Sequence, residues 1–411
     1  MASHPTVLIL GSGQAGFQAA VSLRDLDFAG RIVLLGDEPG LPYYRPPLSK
    51  AYLLPGGADR DIALRPTTFY DKRKIELMHG TAVQIDRARQ VVTLDTGGDI
   101  VYDQLILALG ARNRQLRLSG TALPGVHQLR TRGDAERLRS ALDSASSVVA
   151  VGAGFIGMEI VSAAAKLGKR TAVVDPLDRP LARALSVHSS QHFERLHIAH
   201  GTRLYLRQQC VSLHGGISVE SVELRDGATV DADLVVIGVG VQPNSGLAEQ
   251  AGLAVADGIL VDRFLQTSDP AISAIGDCAR FPAGPFGRMM VRLESVQNAV
   301  DQARSVAARI MGATVPYEAV PWFWSEQCGT KLQIAGLSTG YDVAVPFGDP
   351  ESSSFSILLF RNGRLICVES VNRPKDHMSA RRLLAGHVGL TPETAQQEGF
   401  DLETFVQATA A

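Results

Sequence analysis

The chain has 411 residues, room for two to three domains at the usual ~150 residues each. Its 40 basic and 42 acidic residues leave a formal charge of −2, which removes any global field that would draw it onto nucleic acid or a membrane. The four cysteines, at 210, 278, 328 and 367, form no C-x-x-C pair, zinc spacing or disulfide framework, so neither a metal site nor a disulfide-stapled secreted fold is expected.

The opening Met1-Ala-Ser-His-Pro5 has neither the basic nor the apolar region of a signal peptide, and the expectation is a soluble, cytoplasmic protein. Thr6–Leu10 is a short, wholly apolar run of the kind a buried parallel strand requires. A helical segment over about 15–26 follows, then a second apolar run, Arg31–Leu35. Strand candidates continue at Val91–Leu94 and Gln104–Ala108. The same βαβ pattern then recurs about 141 residues later, at Ser147–Val151, Phe155–Leu167 and Thr171–Val174. The apolar stretch from Val148 to Ala165 is long enough for a membrane span. It contains Glu159 and three glycines, and a strand, glycine turn and helix explains it better. Asp233–Ile237 reads as a further strand, and 238–243 as a hinge that breaks regular structure. From Val320 onward, Leu332–Ala335 and Phe355–Phe360 alternate like an antiparallel sheet, and the tail over Ser379–Phe405 reads as helical.

Two glycine fingerprints sit between strand and helix. In Gly11-Ser-Gly13-Gln-Ala-Gly16 the first glycine makes the tight turn, the second lets a pyrophosphate approach the backbone, and the third lets helix and strand pack closely. The helix N-terminus then offers free N–H groups to the phosphates. Gly152-Ala-Gly154-Phe-Ile-Gly157 repeats the pattern. Asp37 follows the first turn and Asp175 the second, each placed to accept from ribose hydroxyls. An acid at Asp175 favours NAD, because the 2′-phosphate of NADP would meet a like charge. Two dinucleotide sites on one chain point to a flavin and a nicotinamide.

Three further motifs carry a resemblance. Tyr44-Arg-Pro-Pro-Leu-Ser-Lys50, Thr267-Ser-Asp-Pro-Ala-Ile-Ser-Ala-Ile-Gly-Asp277-Cys-Ala-Arg280 and Pro321-Trp-Phe-Trp-Ser-Glu-Gln327 resemble the FAD-dependent NADH:ferredoxin reductases of bacterial oxygenase systems, of the putidaredoxin reductase and biphenyl or toluene dioxygenase reductase types. The likeness spans Val7 to about Arg382. It implies a glutathione-reductase-like α/β flavoprotein with two Rossmann-type domains and a C-terminal α+β domain. The FAD-binding domain would cover 1–112 and 243–320, the NAD-binding domain 113–242 and the C-terminal domain 321–411.

The resemblance assigns FAD contacts to Gly13, Asp37, Lys50, Val83, Arg130, Asp277 and Val296. Lys50 places a cation where reduction builds negative charge. Asp277 accepts from ribityl hydroxyls or N-caps a helix beginning at Ala279, and Val296 supplies a backbone N–H at a helix start. Glu159, read as lying on the first turn of its helix, pairs in the family with Lys50 near the nicotinamide, which makes these two the catalytic candidates. Gly238 and Gly240 resemble the loop crossing the cofactor, and Arg183 a residue by the adenine. Trp322 or Trp324 lies beside the flavin or belongs to the small sheet's core.

Where disulfide reductases of the wider group place cysteines, this chain has Pro42-Tyr-Tyr-Arg-Pro-Pro47. Electrons must therefore pass directly from the flavin to an external acceptor. A hydride carries two electrons and a [2Fe–2S] ferredoxin takes one, so two ferredoxin encounters follow each NADH. An acidic ferredoxin needs a basic docking face. Seven arginines and two acids over 112–139 offer one. The resemblance points instead to Arg65, Arg304 and Lys331. The downstream acceptor would be a cytochrome P450 or a ring-hydroxylating dioxygenase. The competing readings are a rubredoxin reductase, a peroxide-forming NADH oxidase, and an NADH-sensing binding protein similar to apoptosis-inducing factor.

Overall fold

The computed structural model describes residues 5–57, 62–287, 289–386 and 389–409. It divides into two compact units. One is assembled from Met1–Tyr44, Ile62–Arg112 and Gln242–Pro321, the other from Arg45–Asp61, Asn113–Val241 and Trp322–Ala411.

The first unit is built on a five-stranded parallel sheet. Its strands run in the order Ile272–Ala274, Gln104–Leu107, Thr6–Leu10, Arg31–Gly36 and Ile75–His79. Val7 to Leu10 are all buried, as the unbroken apolar run requires of a strand covered on both faces. The helix Gln14–Asp25 packs beside the helix Val296–Ile310. Arg24 fastens the end of the first helix: its guanidinium donates to the carbonyls of Gly30 at 2.9 Å and of Arg73 and Lys74 at 2.8 Å. Those bonds fix the turn, with Asp27 at φ 60°, that lengthens the distance from Gly11 to Asp37.

The second unit holds another five-stranded parallel sheet, ordered Thr202–Leu206, Arg170–Asp175, Ser147–Val151, Leu234–Ile237 and Val126–His127. Here too the helix Phe155–Lys166 follows the strand Ser147–Val151 directly. The same unit contains an antiparallel sheet of Trp322–Gln327, Thr330–Gly336, Arg364–Val371, Phe355–Arg361 and Val343–Phe347, in that order. The helix Pro374–Gly386 packs on it, and Asp376 accepts from Ser356 in the sheet at 2.7 Å.

Three expectations need correction. The tail is not one helix: it breaks into Pro374–Gly386, Pro392–Ala395 and Leu402–Thr409, and Pro392 opens the second piece at a position where proline starts helices. Residues 238–240 are irregular as expected, but Val241–Pro243 resumes as a short strand. The segment from Ala279 is the strand Ala279–Ala283, so Asp277 caps no helix there and lies in the 3₁₀ turn Gly276–Cys278. Among the described residues no helix is long and apolar enough to cross a membrane.

Candidate functional site

The two glycine turns have the same geometry. Gly11 has φ +107° and Gly152 φ +113°. A side chain there would drive a Cβ to 2.1 Å from the Ala108 carbonyl oxygen, or 2.4 Å from that of Gly238. A Cβ at Gly16 or Gly157 would lie 1.9 or 2.1 Å from the carbonyl oxygen of the first glycine of its own turn. Gly13 and Gly154 differ. Each stands at a helix N-cap, and a Cβ there would meet nothing within 4 Å. Neither helix receives a side-chain cap, and neither has an acid in its first turn. Each turn is therefore a cradle that a Cβ would fill, in front of free N–H groups and the positive end of a helix dipole. The residues fit a pyrophosphate in both places.

The acids after the turns behave differently. Asp37 follows the strand Arg31–Gly36 and is exposed. Asp175 ends the strand Arg170–Asp175, is buried, and already accepts from the backbone N–H of Ala153 at 2.7 Å and of Leu177 at 2.8 Å. It holds the second glycine turn to its strand, a role the spacing did not reveal.

In the first unit, Val296 is the first residue of its helix, and Ser295 caps it by accepting from the Asn298 N–H. Gly276, at φ +73°, donates to Gln302 at 2.7 Å, which anchors the turn carrying Asp277. Val83 lies exposed on the strand Ala82–Asp86.

In the second unit, Lys50 and Glu159 come together. Lys50 Nζ donates to Glu159 Oε2 at 2.6 Å, with Lys50 22% and Glu159 3% exposed. Glu159 is the fifth residue of its helix, one turn further in than the sequence reading placed it. Ser49 Oγ also donates to Oε2, at 2.5 Å, and Ser325 Oγ donates to Oε1 at 2.6 Å. Neither serine was foreseen. Each lies inside a motif singled out for another residue, and only the paired side chains in space mark it. Arg45 donates to the Arg130 carbonyl at 2.7 Å, and the Arg130 N–H donates to Asp134, whose carboxylate also accepts from the Thr131 N–H in the capping box of the helix Arg132–Ser144.

Gly238 crosses against Gly152, and Gly240 has φ +98°. Arg183 is exposed on the turn that follows Asp175. That turn ends at Ser186, whose N–H and hydroxyl both donate to the fully buried Glu369 at 2.7 and 2.6 Å, a contact no motif announced. The rings of Trp322 and Trp324 lie 5.5 Å apart, and the Arg381 guanidinium sits 4.8 Å above Trp322. The expected docking residues fall in both units. Arg65 lies over the Phe69 ring at 5.5 Å, Arg304 is 62% exposed and 3.6 Å from Asp301, and Lys331 is exposed. Within 112–139, Arg132 pairs with Glu136 and Arg137 with Asp134, which cancels part of that local charge.

All four cysteines are free thiols. Burial pushes Cys210 and Cys278 up to about 11 and raises Cys328 and Cys367 as well, so none offers a ready thiolate. Among the described residues no cluster of His, Cys, Asp or Glu could hold a metal ion.

Two parallel sheets, each with a phosphate cradle at the carboxyl end of its central strand, define a two-nucleotide oxidoreductase. The chain belongs to the pyridine nucleotide-disulphide oxidoreductase family, whose model matches residues 5–303, and the reductase C-terminal model matches residues 322–406. It is 51% identical to rhodocoxin reductase of Rhodococcus erythropolis over 400 residues, 97% of this chain and 93% of that one. It is similar to the crystal structure of the ferredoxin reductase for the CYP199A2 system from Rhodopseudomonas palustris, at 46% identity and a TM-score of 0.95, covering 98% of this chain and 100% of that one. The reductase in the covalent putidaredoxin reductase–putidaredoxin complex matches at 35% identity and a TM-score of 0.95, with both chains covered completely.

Proposed function

We infer that this chain is an FAD-dependent NADH:ferredoxin reductase that supplies a cytochrome P450 or a ring-hydroxylating dioxygenase through a [2Fe–2S] ferredoxin. The observation that carries the reading is the pair of open cradles at Gly13 and Gly154. FAD, when bound, supplies the two-electron to one-electron chemistry that matches a nicotinamide to an iron–sulfur acceptor.

The chain's own residues bind and orient. Gly11, Gly13 and Gly16 take the pyrophosphate of FAD, Asp37 its ribose, and Asp277 and Val296 the ribityl chain and ring edge. Val83, Arg130 and Trp322 are further proposed flavin contacts. Gly152, Gly154 and Gly157 take the pyrophosphate of NADH, with Asp175 at the ribose, Arg183 toward the adenine, and Gly238 and Gly240 alongside. Lys50 supplies a cation where negative charge accumulates during hydride transfer, and Glu159 holds that cation in place. The family name refers to disulphide chemistry, but no cysteine stands in 42–47 and the four thiols are protonated, which supports direct delivery to a protein acceptor. Arg65, Arg304 and Lys331 are the proposed contacts for that acidic partner.

Stopped-flow spectroscopy tests the reading. NADH bleaches the flavin band quickly, air restores it slowly, and an added [2Fe–2S] ferredoxin restores it fast. Rapid recovery in air alone would make the chain an oxidase. Recovery with rubredoxin but not with ferredoxin would make it a rubredoxin reductase.

A further inference from the structure

A buried line of side chains runs from the Lys50–Glu159 pair into the antiparallel sheet, entirely inside the second unit. Ser325 Oγ lies 2.6 Å from Glu159 Oε1, Gln327 Nε2 lies 3.0 Å from Ser325 Oγ, and Gln327 Oε1 lies 3.0 Å from His197 Nε2. His197 Nδ1 faces Cys328 Sγ at 4.0 Å. Ser325, Gln327 and His197 are all buried.

Local geometry explains the alignment. Strand Trp322–Gln327 pairs with Thr330–Gly336 through a two-residue turn, Cys328-Gly329, in which both residues have positive φ (50° and 74°). The Cys328 N–H donates to Ser162 Oγ at 2.8 Å. Ser162 lies three residues after Glu159 on the same helix, so the turn is pinned to the helix face that carries the carboxylate. Ser325 and Gln327, two apart on a strand, then point to that same face.

Chemistry fixes the direction of every bond. Glu159 Oε1 needs a donor, so the Ser325 proton points to it. Ser325 Oγ is thereby left as an acceptor, which requires the amide NH₂ of Gln327 on that side and its carbonyl toward His197. Burial pushes the His197 imidazole down, so it is neutral and donates from Nε2, leaving Nδ1 as acceptor for the Cys328 thiol. All four donors point toward Glu159.

We propose that Ser325, Gln327 and His197 are positioning residues that orient the Glu159 carboxylate, so that the antiparallel sheet sets the geometry of the Lys50–Glu159 pair. With Oε1 held by Ser325, Oε2 is left to Lys50 and Ser49. Without that hold the carboxylate rotates and the ammonium loses its fixed position. The inference rests on reading the pair as the group that serves hydride transfer.

The test uses FAD-loaded protein. Ser325→Ala slows bleaching of the flavin by NADH about tenfold, the factor that a lost hydrogen bond to a charged group carries. Flavin content is unchanged and the Kd for NADH stays within about twofold, the pattern of an interaction made in the transition state. Ser325→Thr, which keeps the hydroxyl, restores the rate. Gln327→Met, of similar volume, slows it in the same direction. Adding Ser325→Ala to Glu159→Gln costs nothing further. Independently of turnover, 15N-histidine spectra show the His197 ring as the Nε2–H tautomer, with its Nε2 signal displaced in Ser325→Ala. A wild-type rate in Ser325→Ala beside a slow Glu159→Gln overturns the inference alone. So does a Nδ1–H tautomer, or a slow rate that comes with lost flavin and no rescue by threonine. A wild-type rate in Glu159→Gln overturns the reading of the pair itself.

Discussion

Lys50 Nζ and Glu159 Oε2 lie 2.6 Å apart across 109 residues of sequence, and the carboxylate is only 3% exposed. A buried carboxylate that receives an ammonium and two hydroxyls is well satisfied as a set and poorly tolerates losing one member. Lys50→Met therefore leaves Glu159 buried without its cation. The expected loss is about 3 kcal/mol of stability, read from urea unfolding of the FAD-loaded protein. Lys50→Arg, which keeps the charge, loses less, and equal stability of Lys50→Met and wild type would contradict this.

The glycines make a sharper distinction. Gly13 has φ −72°, and a Cβ there meets no protein atom, so Gly13→Ala folds with an unchanged melting temperature. Its methyl group occupies the phosphate cradle, and FAD affinity falls at least about tenfold. Gly11→Ala would force a clash with the Ala108 carbonyl at φ +107°, and the protein itself is destabilised. Melting curves with and without added FAD separate the two. The same contrast holds for Gly154→Ala and Gly152→Ala with NADH as the ligand.

The nucleotide-binding sheets were legible because their signals are local. Thr6–Leu10 and Ser147–Val151 occur as read, since an apolar run ending in G-x-G-x-x-G admits few other conformations. What could not be read are contacts between distant side chains. Ser49, Ser325 and Gln327 lie inside motifs singled out for other residues and His197 in none, and the alignment of the last three needs the pinned Cys328-Gly329 turn. Asp277 shows the opposite failure. Its Gly-Asp-Cys context resembles a helix start, yet pairing of Ala279–Ala283 with Met289–Val291 and Ile259–Leu260 overrides the local preference.

Asp175 ties the second glycine turn, the proposed coenzyme cradle, to the end of its strand. Its two carboxylate oxygens hold the N–H groups of Ala153 and Leu177, so Asp175→Ala strands two donors as well as removing negative charge. With an acid at this position, the wild-type enzyme is expected to prefer NADH to NADPH in kcat/KM. Asp175→Ala weakens NADH without gaining NADPH activity, because the turn that positions either pyrophosphate is loosened. Initial rates with both coenzymes check this, and a clean switch to NADPH would show that charge alone decides.

Arg304 is 62% exposed, and its 3.6 Å contact with Asp301 is too solvated to commit it. Reversing its charge in Arg304→Glu raises the apparent Km for ferredoxin about tenfold at low salt, with a smaller change at high salt where the field is screened. Ferricyanide reduction, which needs no protein docking, is unaffected. Equal loss in both assays would remove Arg304 from the docking face.

His377 gives the fold an acid limit. The imidazole is 1% exposed, packs 5.6 Å from the Trp322 ring, and is pushed down to about 4, first by burial and then by Arg381 and Lys331. The unfolded chain binds a proton near 6.5 and the folded one only near 4, so folding stability falls as pH drops from 6.5 to 4. The loss reaches at most about 3 kcal/mol. Asp376, next to it in sequence, is pushed up chiefly by burial and acts with the opposite sign, so it blunts the loss rather than causing it. His377→Phe keeps a ring against Trp322 without the titrating nitrogens. Urea unfolding at pH 7 and pH 5 should show a smaller stability difference for this variant than for wild type. An identical difference would assign the acid sensitivity elsewhere.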